Sequence, residues 1–198
     1  MTDTTLNYYN NNAEAFIQGT IAVDFSDTQD KFLNLLSGRK ILDFGCGSGR
    51  DTKYFLSKGF QVDAIDGSAE LCRIAEENIN MPVKQMLFSE LNDIEKYDGI
   101  WACSSILHLP KEELKDVLDK MICATKNGGY IYTSFKYGDF EGYRNERYFT
   151  DFKEESFNDF IKSFPGLTMI EEWVSNDIRP GRSDEKWLNL ILKKSGTV

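Results

Sequence analysis

Apolar positions along the chain recur in two alternating rhythms. Residues 40–44, Lys-Ile-Leu-Asp-Phe, form a short apolar run that ends in glycines and reads as a buried strand. Residues 50–58 follow with helical spacing and stop at Gly59, the residue type that ends helices in a left-handed turn. Residues 60–65 are a second strand, closed by Asp66-Gly67, after which Ser68 offers an N-cap hydroxyl to a helix reaching about Asn78. Residues 83–87 and 98–102 read as the third and fourth strands. Pro110 opens a helix whose Leu114, Val117, Leu118, Met121 and Ile122 share one face. Asn127-Gly128-Gly129 reads as a turn before a fifth strand at 130–135. A helix around 154–163 and strands near 167–174 and 187–192 complete the pattern.

Strands alternating with helices of this length predict an α/β fold with a parallel, doubly wound sheet. The last two strands have no helix between them, which predicts an antiparallel pair at one edge. Residues 1–37 precede the first strand and read as helical, anchored by Phe16-Ile17 and by Phe32, Leu33, Leu35 and Leu36. No repeat, low-complexity tract or Pro/Gly-rich linker interrupts the chain. The expectation is one domain over 1–198, with a helical cap at 1–37 and a core at 38–198.

Charge and composition then narrow the chemistry. The 198 residues carry 23 Lys+Arg against 32 Asp+Glu, a formal charge of −9, with one histidine. That balance disfavours nucleic acid and anionic membrane surfaces as partners, since both demand a basic field. Much of the acid, including Asp24, Asp27 and Asp30, is expected away from the substrate edge. A single histidine cannot build a multi-His zinc site, and no metal ligands are assigned. Cys46, Cys72, Cys103 and Cys123 are far apart with no CxxC pair, which reads as reduced thiols. The first residues have neither a basic nor an apolar leader segment, and no apolar run approaches the roughly 20 residues needed to span a bilayer. The expected location is the cytoplasm, as a monomer or homodimer.

The segment Asp43-Phe44-Gly45-Cys46-Gly47-Ser48-Gly49-Arg50 joins the first strand to the first core helix. Closely spaced glycines let a backbone turn tightly and approach a ligand over a helix N-terminus. Asp66 ends the next strand, about twenty residues on, where an acid accepts hydrogen bonds from ribose hydroxyls. Glycine loop and acid together are a nucleoside-binding signature. The spacing is GxGxG, not the GxGxxG of dinucleotide sites, and Asp43 suits a cationic or amino-bearing ligand better than a diphosphate.

This D-x-G-C-G-x-G-R motif resembles the first motif of class I S-adenosylmethionine-dependent methyltransferases, and the likeness extends over about 39–193. The Tyr8-Tyr9-Asn10 run and the Thr20 region are similar to small bacterial methyltransferases related to tellurite resistance. The resemblance implies a seven-stranded Rossmann-like sheet in the order 3-2-1-4-5-7-6, last strand antiparallel, under an N-terminal helical lid. It implies S-adenosyl-L-methionine as cofactor, S-adenosyl-L-homocysteine as product, and direct SN2 methyl transfer to a small-molecule substrate. Asp43, Gly45 and Gly47, with Cys46, Gly49 and Arg50 of the same loop, would surround the methionine part. Asp66, Gly67 and Ser68 would hold the ribose, Leu87 and Phe88 would flank the adenine, and Cys103-Ser104 would pass under the carboxylate and sulfonium.

Beyond the cofactor, His108 lies just past the fourth strand, at the carboxyl edge of the sheet where ligands bind. It is a candidate general base, with a helix cap or a solvated side chain as the plain alternatives. Tyr9, with Tyr8 and Phe16, is a candidate lid over the sulfonium or ordinary packing. Arg179 and Arg182 on a Pro-Gly turn beside Trp187, and Lys136, Tyr137, Arg144, Arg147 and Tyr148, are candidates for an anionic acceptor or simply solvated charges. Two other readings stay open: an NAD-dependent oxidoreductase, and a non-catalytic module that binds S-adenosylmethionine.

Overall fold

In the computed structural model, which describes residues 2–195, the alternation of the sequence becomes layers. Met1 and residues 196–198, included in the one-domain expectation, lie outside the described residues. The chain opens with α1 (Asp3–Asn11), α2 (Ala13–Gln18) and α3 (Ser26–Leu33). It continues through β1 (Lys40–Phe44), α4 (Arg50–Ser57), β2 (Gln61–Asp66), α5 (Ala69–Ile79), β3 (Lys84–Gln85), β4 (Tyr97–Ala102), α6 (Lys111–Ala124) and β5 (Thr125–Lys136). A hairpin of β6 (Glu141–Arg144) and β7 (Arg147–Thr150) precedes α7 (Glu154–Ile161), β8 (Leu167–Asn176) and β9 (Lys186–Lys194).

Seven strands form one sheet in the order β3-β2-β1-β4-β5-β9-β8. With the hairpin set aside this is the expected 3-2-1-4-5-7-6. β1 runs parallel to β2 and β4, and β9 runs antiparallel to both β5 and β8. Side chains alternate between the two faces, as strand geometry requires. Ile41, Val62, Trp101, Tyr132 and Ile191 pack under Phe32 of α3 and Phe55 of α4. Leu42, Ile100, Ile131, Leu190 and Leu192 pack on the opposite side with Leu114, Leu118 and Met121 of α6 and Phe157 of α7. Helices therefore cover both faces and leave the carboxyl ends of β1, β2, β4 and β5 as the open edge.

Two local expectations are corrected, and one element is new. The third strand shrinks to Lys84–Gln85. Asn127-Gly128-Gly129 is no free turn but lies within β5, where Gly128 takes φ 77° and the β4–β5 register shifts between Tyr97 and Gly99. The β6–β7 hairpin was not expected at all. Its two-residue turn is Asn145-Glu146, both at positive φ (46° and 64°), and that backbone is normally signalled by Asn-Gly. Glutamate in the second place hides the turn.

The N-terminal helices are tied to the core by side chains, not only by packing. Thr5 Oγ1 accepts from the Tyr148 backbone N–H at 3.0 Å, and the Ser68 hydroxyl donates to Asn10 Oδ1 at 2.7 Å. Gln29 Nε2 donates to Asp51 Oδ1 at 2.6 Å. These bonds bring α1 and α3 onto the open edge of the sheet.

Candidate functional site

β1 ends at Phe44, and the chain must reverse within a few residues to enter α4. The N–H groups of Gly45 and Cys46 both donate to the Ile65 carbonyl, at 3.0 and 2.8 Å, fastening the loop to the end of β2. Gly45 sits at φ 92°, and a Cβ there would stand 2.5 Å from Ser105 Cβ. Gly49 is the N-cap of α4 at φ 75°, where a Cβ would meet Ile79 Cγ2 at 2.7 Å. Backbone conformation and close packing thus both demand glycine at these two places.

Asp66 locks this loop to the next one. Its Oδ2 accepts from the Gly47 N–H at 3.0 Å and its Oδ1 from the Ser68 N–H at 2.9 Å. Burial raises the Asp66 carboxyl above its ordinary range. The Ser68 hydroxyl also receives the Leu71 N–H, so the predicted N-cap is present.

Beneath the loop lies a buried polar cluster. The Thr52 hydroxyl donates to Asp43 Oδ2 at 2.6 Å. Asp51 accepts from Arg50 on both oxygens, from Gln29, and from Trp101 Nε1 at 2.8 Å. Burial, followed by the charges of Asp51 and Asp66, pushes the Asp43 carboxyl well above the carboxylate range. Burial likewise raises the Cys46 thiol and pushes Cys103 up to about 12, so neither is a ready thiolate.

A cavity of about 590 Å³ opens over these groups. Gly45, Cys46, Gly47 and Arg50 line it from the loop, Asp66 and Ser68 from the end of β2, and Phe88, Cys103 and Ser104 from the ends of β3 and β4. His108 and Tyr9 line it as well, with Phe16 and Phe25 of the cap. Of the residues expected around the cofactor, Asp43, Gly49, Gly67 and Leu87 are not among its lining, nor are Tyr8 and Tyr148 of the acceptor side. Asp43 is 2% exposed and stands behind the loop, while the Leu87 N–H donates to Glu90.

His108 ends a short 3₁₀ turn, Ile106–His108, and is 3% exposed, so it does not face solvent, and the N-cap of the following helix is Pro110. Its Nδ1 lies 2.6 Å from the Tyr148 carbonyl and its Nε2 lies 2.7 Å from the Tyr9 hydroxyl. A carbonyl only accepts, so Nδ1 carries the proton, and the Tyr9 hydroxyl donates to Nε2. Burial, aided by the Arg147 charge, lowers His108 to about 4, and burial raises the Tyr9 phenol.

The cationic residues singled out in the sequence also gather here, but most come with partners. Arg144 binds Asp151 through two bonds, at 3.0 and 2.6 Å. Arg179 pairs with Asp177 through Nε at 2.9 Å and through a second nitrogen, and Asp177 also takes Trp187 Nε1 at 3.0 Å. Lys136 contacts Asp177 and Glu185, and Arg182 lies 3.4 Å from Glu185. Asp24, Asp27 and Asp30 are not among the lining residues, whereas Asp51, Asp66, Asp151, Asp177, Asp184 and Glu185 all line the cavity. Sequence reasoning missed Asp51, Gln29 and Trp101 as a unit. Only an acid in the first turn of a helix gave any hint of it.

Residues 41–129 match a family model described as "Methyltransferase domain". Phosphoethanolamine N-methyltransferase 3 of Arabidopsis thaliana is 33% identical over 109 residues, 51% of this chain and 22% of that protein. Probable S-adenosyl-L-methionine-dependent methyltransferase TehB of Haemophilus influenzae (strain 10810) is 28% identical over 101 residues, 48% of this chain and 35% of that one. The matches thus span well under half the length of these two relatives. The crystal structure of 1,6-didemethyltoxoflavin-N1-methyltransferase of Burkholderia thailandensis has a TM-score of 0.79 at 18% identity. The likeness covers 98% of this chain and 88% of that one, whose crystals hold 1,6-didemethyltoxoflavin and S-adenosylhomocysteine.

Sheet order, glycine loop and matched segment resemble those of S-adenosylmethionine-dependent methyltransferases. Within that class, the likeness to tellurite-resistance-related enzymes expected from the sequence is met by TehB. The residues present fit S-adenosylmethionine: a glycine loop lining the cavity, carboxylates for its ammonium and sulfonium charges, and aromatic rings on the cap side. Among the described residues no His/Cys/Asp/Glu group could hold a metal ion, and no helix is long and apolar enough to cross a membrane.

Proposed function

We propose that this chain is an enzyme transferring the methyl of S-adenosyl-L-methionine directly to a small anionic acceptor. The observation carrying the reading is the Asp66 carboxylate, which ties the Gly47 and Ser68 N–H groups together at the floor of the cavity. When bound, the cofactor supplies a methyl already activated on a sulfonium. What remains for the protein is to bind, align and exclude water, and alignment is worth roughly 7–11 kcal/mol of barrier.

In this reading Asp66, Gly67 and Ser68 hold the ribose, and Leu87 with Phe88 bounds the base. Gly45, Cys46, Gly47, Gly49 and Arg50 wrap the methionine part, with Cys103 and Ser104 beneath it. Asp43 acts from behind the loop, as a buried carboxyl that a nearby cation stabilises in its charged form. Tyr9 closes the cap side, and its hydroxyl and His108 orient the acceptor. A histidine lowered to about 4 is a weak base at neutral pH, which favours an acceptor that reacts without first losing a proton. One domain comprising cap and core completes the site.

Titration calorimetry tests the proposal. S-adenosylmethionine is expected to bind, NAD is not, and Asp66→Ala is expected to weaken cofactor binding at least about tenfold. Unchanged affinity in the variant overturns the ribose assignment, and preferential NAD binding overturns the class of reaction. Tight cofactor binding with no labelled methyl passed to any component of a cell extract would leave a binding module instead.

A further inference from the structure

Five arginines line the cavity: Arg50, Arg144, Arg147, Arg179 and Arg182. Four are neutralised, by Asp51, Asp151, Asp177 and Glu185 respectively. Arg147 has no carboxylate within 4.0 Å among the described residues. Its Nε is one of two buried side-chain polar atoms there without a hydrogen-bond partner, the other being Thr133 Oγ1.

Aromatic rings surround Arg147. Its guanidinium carbon lies 4.5 Å from the ring centre of Tyr8, 5.2 Å from Phe149 and 6.0 Å from Tyr9. The Tyr9 hydroxyl also engages Arg147, and a guanidinium has five N–H donors, of which a planar oxyanion takes two in parallel. The residue sits at the start of β7, directly after the Asn145-Glu146 turn. The next residue, Tyr148, gives its N–H to the cap and its carbonyl to His108. An arginine among aromatic rings, with no carboxylate partner and lining a cavity, is prepared for an anion from outside the chain.

We propose that Arg147 is the specificity-determining anchor for the methyl acceptor, and that the acceptor presents a carboxylate to it. This rests on the methyl-transfer reading of the same cavity, and it shifts acceptor recognition from the Arg179–Arg182 turn to the β6–β7 hairpin. The turn is internally neutral and shapes the wall. The hairpin carries the free charge.

Binding of benzoate and of benzamide to the protein saturated with S-adenosylhomocysteine tests the anchor, because the two probes share a shape and differ in charge. Wild type is expected to prefer benzoate by about tenfold or more. Arg147→Gln is expected to erase that preference, and Arg147→Lys to keep only part of it, since lysine retains charge without the fork. Affinity for S-adenosylhomocysteine should stay within about twofold in both variants, which shows that the fold and cofactor site are intact. Equal binding of the two probes by wild type, or a benzoate preference that survives in Arg147→Gln, overturns the anchor and leaves the cofactor reading standing. Failure of wild type to bind S-adenosylhomocysteine overturns the cofactor reading and the anchor with it.

Discussion

The Tyr9 hydroxyl donates to Nε2 of His108 across 2.7 Å, joining residues 99 positions apart. This buried hydrogen bond joins cap to core at the wall of the cavity. Tyr9→Phe would keep the ring packing and leave Nε2 without its donor. The expected cost is about 1–3 kcal/mol in chemical denaturation. The proposed orienting role further predicts a lower kcat with cofactor affinity unchanged. Full stability in the variant would mean the bond contributes nothing.

His108 also sets a pH dependence. Its folded value of about 4 lies below the ordinary 6.5, so between these limits the unfolded chain binds the extra proton and the folded chain does not. The stabilisation is therefore complete above about pH 6.5 and is lost as pH falls towards 4, by roughly 3 kcal/mol in all. Denaturation midpoints measured across this window should fall on acidification in wild type and vary less in His108→Gln.

Gln29 and Asp51 are the corresponding link beneath the glycine loop. Gln29→Leu should cost about 1–3 kcal/mol, because Asp51 loses one donor while Arg50 and Trp101 remain. Gln29→Glu should cost more, since it sets a second carboxylate against the first in a buried place. Hydrogen exchange in α3 reports both: faster exchange is expected in each variant, and fastest in Gln29→Glu.

Gly45→Ala faces two separate obstacles, a φ of 92° and a Ser105 Cβ at 2.5 Å. Thermal unfolding should show a loss of about 1–3 kcal/mol or more. Adding Ser105→Gly removes the clash and not the backbone strain, so the double variant should recover only part of it. Complete recovery would show that conformation is unimportant at this position.

The elements and their order were legible from residues 40–135 because the signals are local. Alternating apolar runs, Ser68 as a cap, Pro110 at a helix start and glycines closing strands each act within a few positions. The meeting of Gly45, Gly47 and Asp66 was legible for a similar reason: they lie at the ends of adjacent strands, where βαβ geometry must bring them together. The Asn145-Glu146 turn escaped notice because its positive φ values lack the glycine that announces them.

The sequence by itself thus determined a doubly wound sheet with a glycine loop at the end of its first strand, and a short list of charged and aromatic candidates around it. Only the tertiary structure decided which of those charges are spent. Arg179 and Arg182 look like a clamp on paper, yet Asp177 and Glu185 neutralise them. His108 looks like a free base, yet Tyr9 and the Tyr148 carbonyl occupy both its nitrogens. Arg147, indistinguishable from its neighbours in one dimension, is the arginine left uncompensated at the cavity among the described residues. The reason is physical. Secondary structure follows short-range periodicity, whereas ion pairing and burial depend on distances through space that packing alone sets.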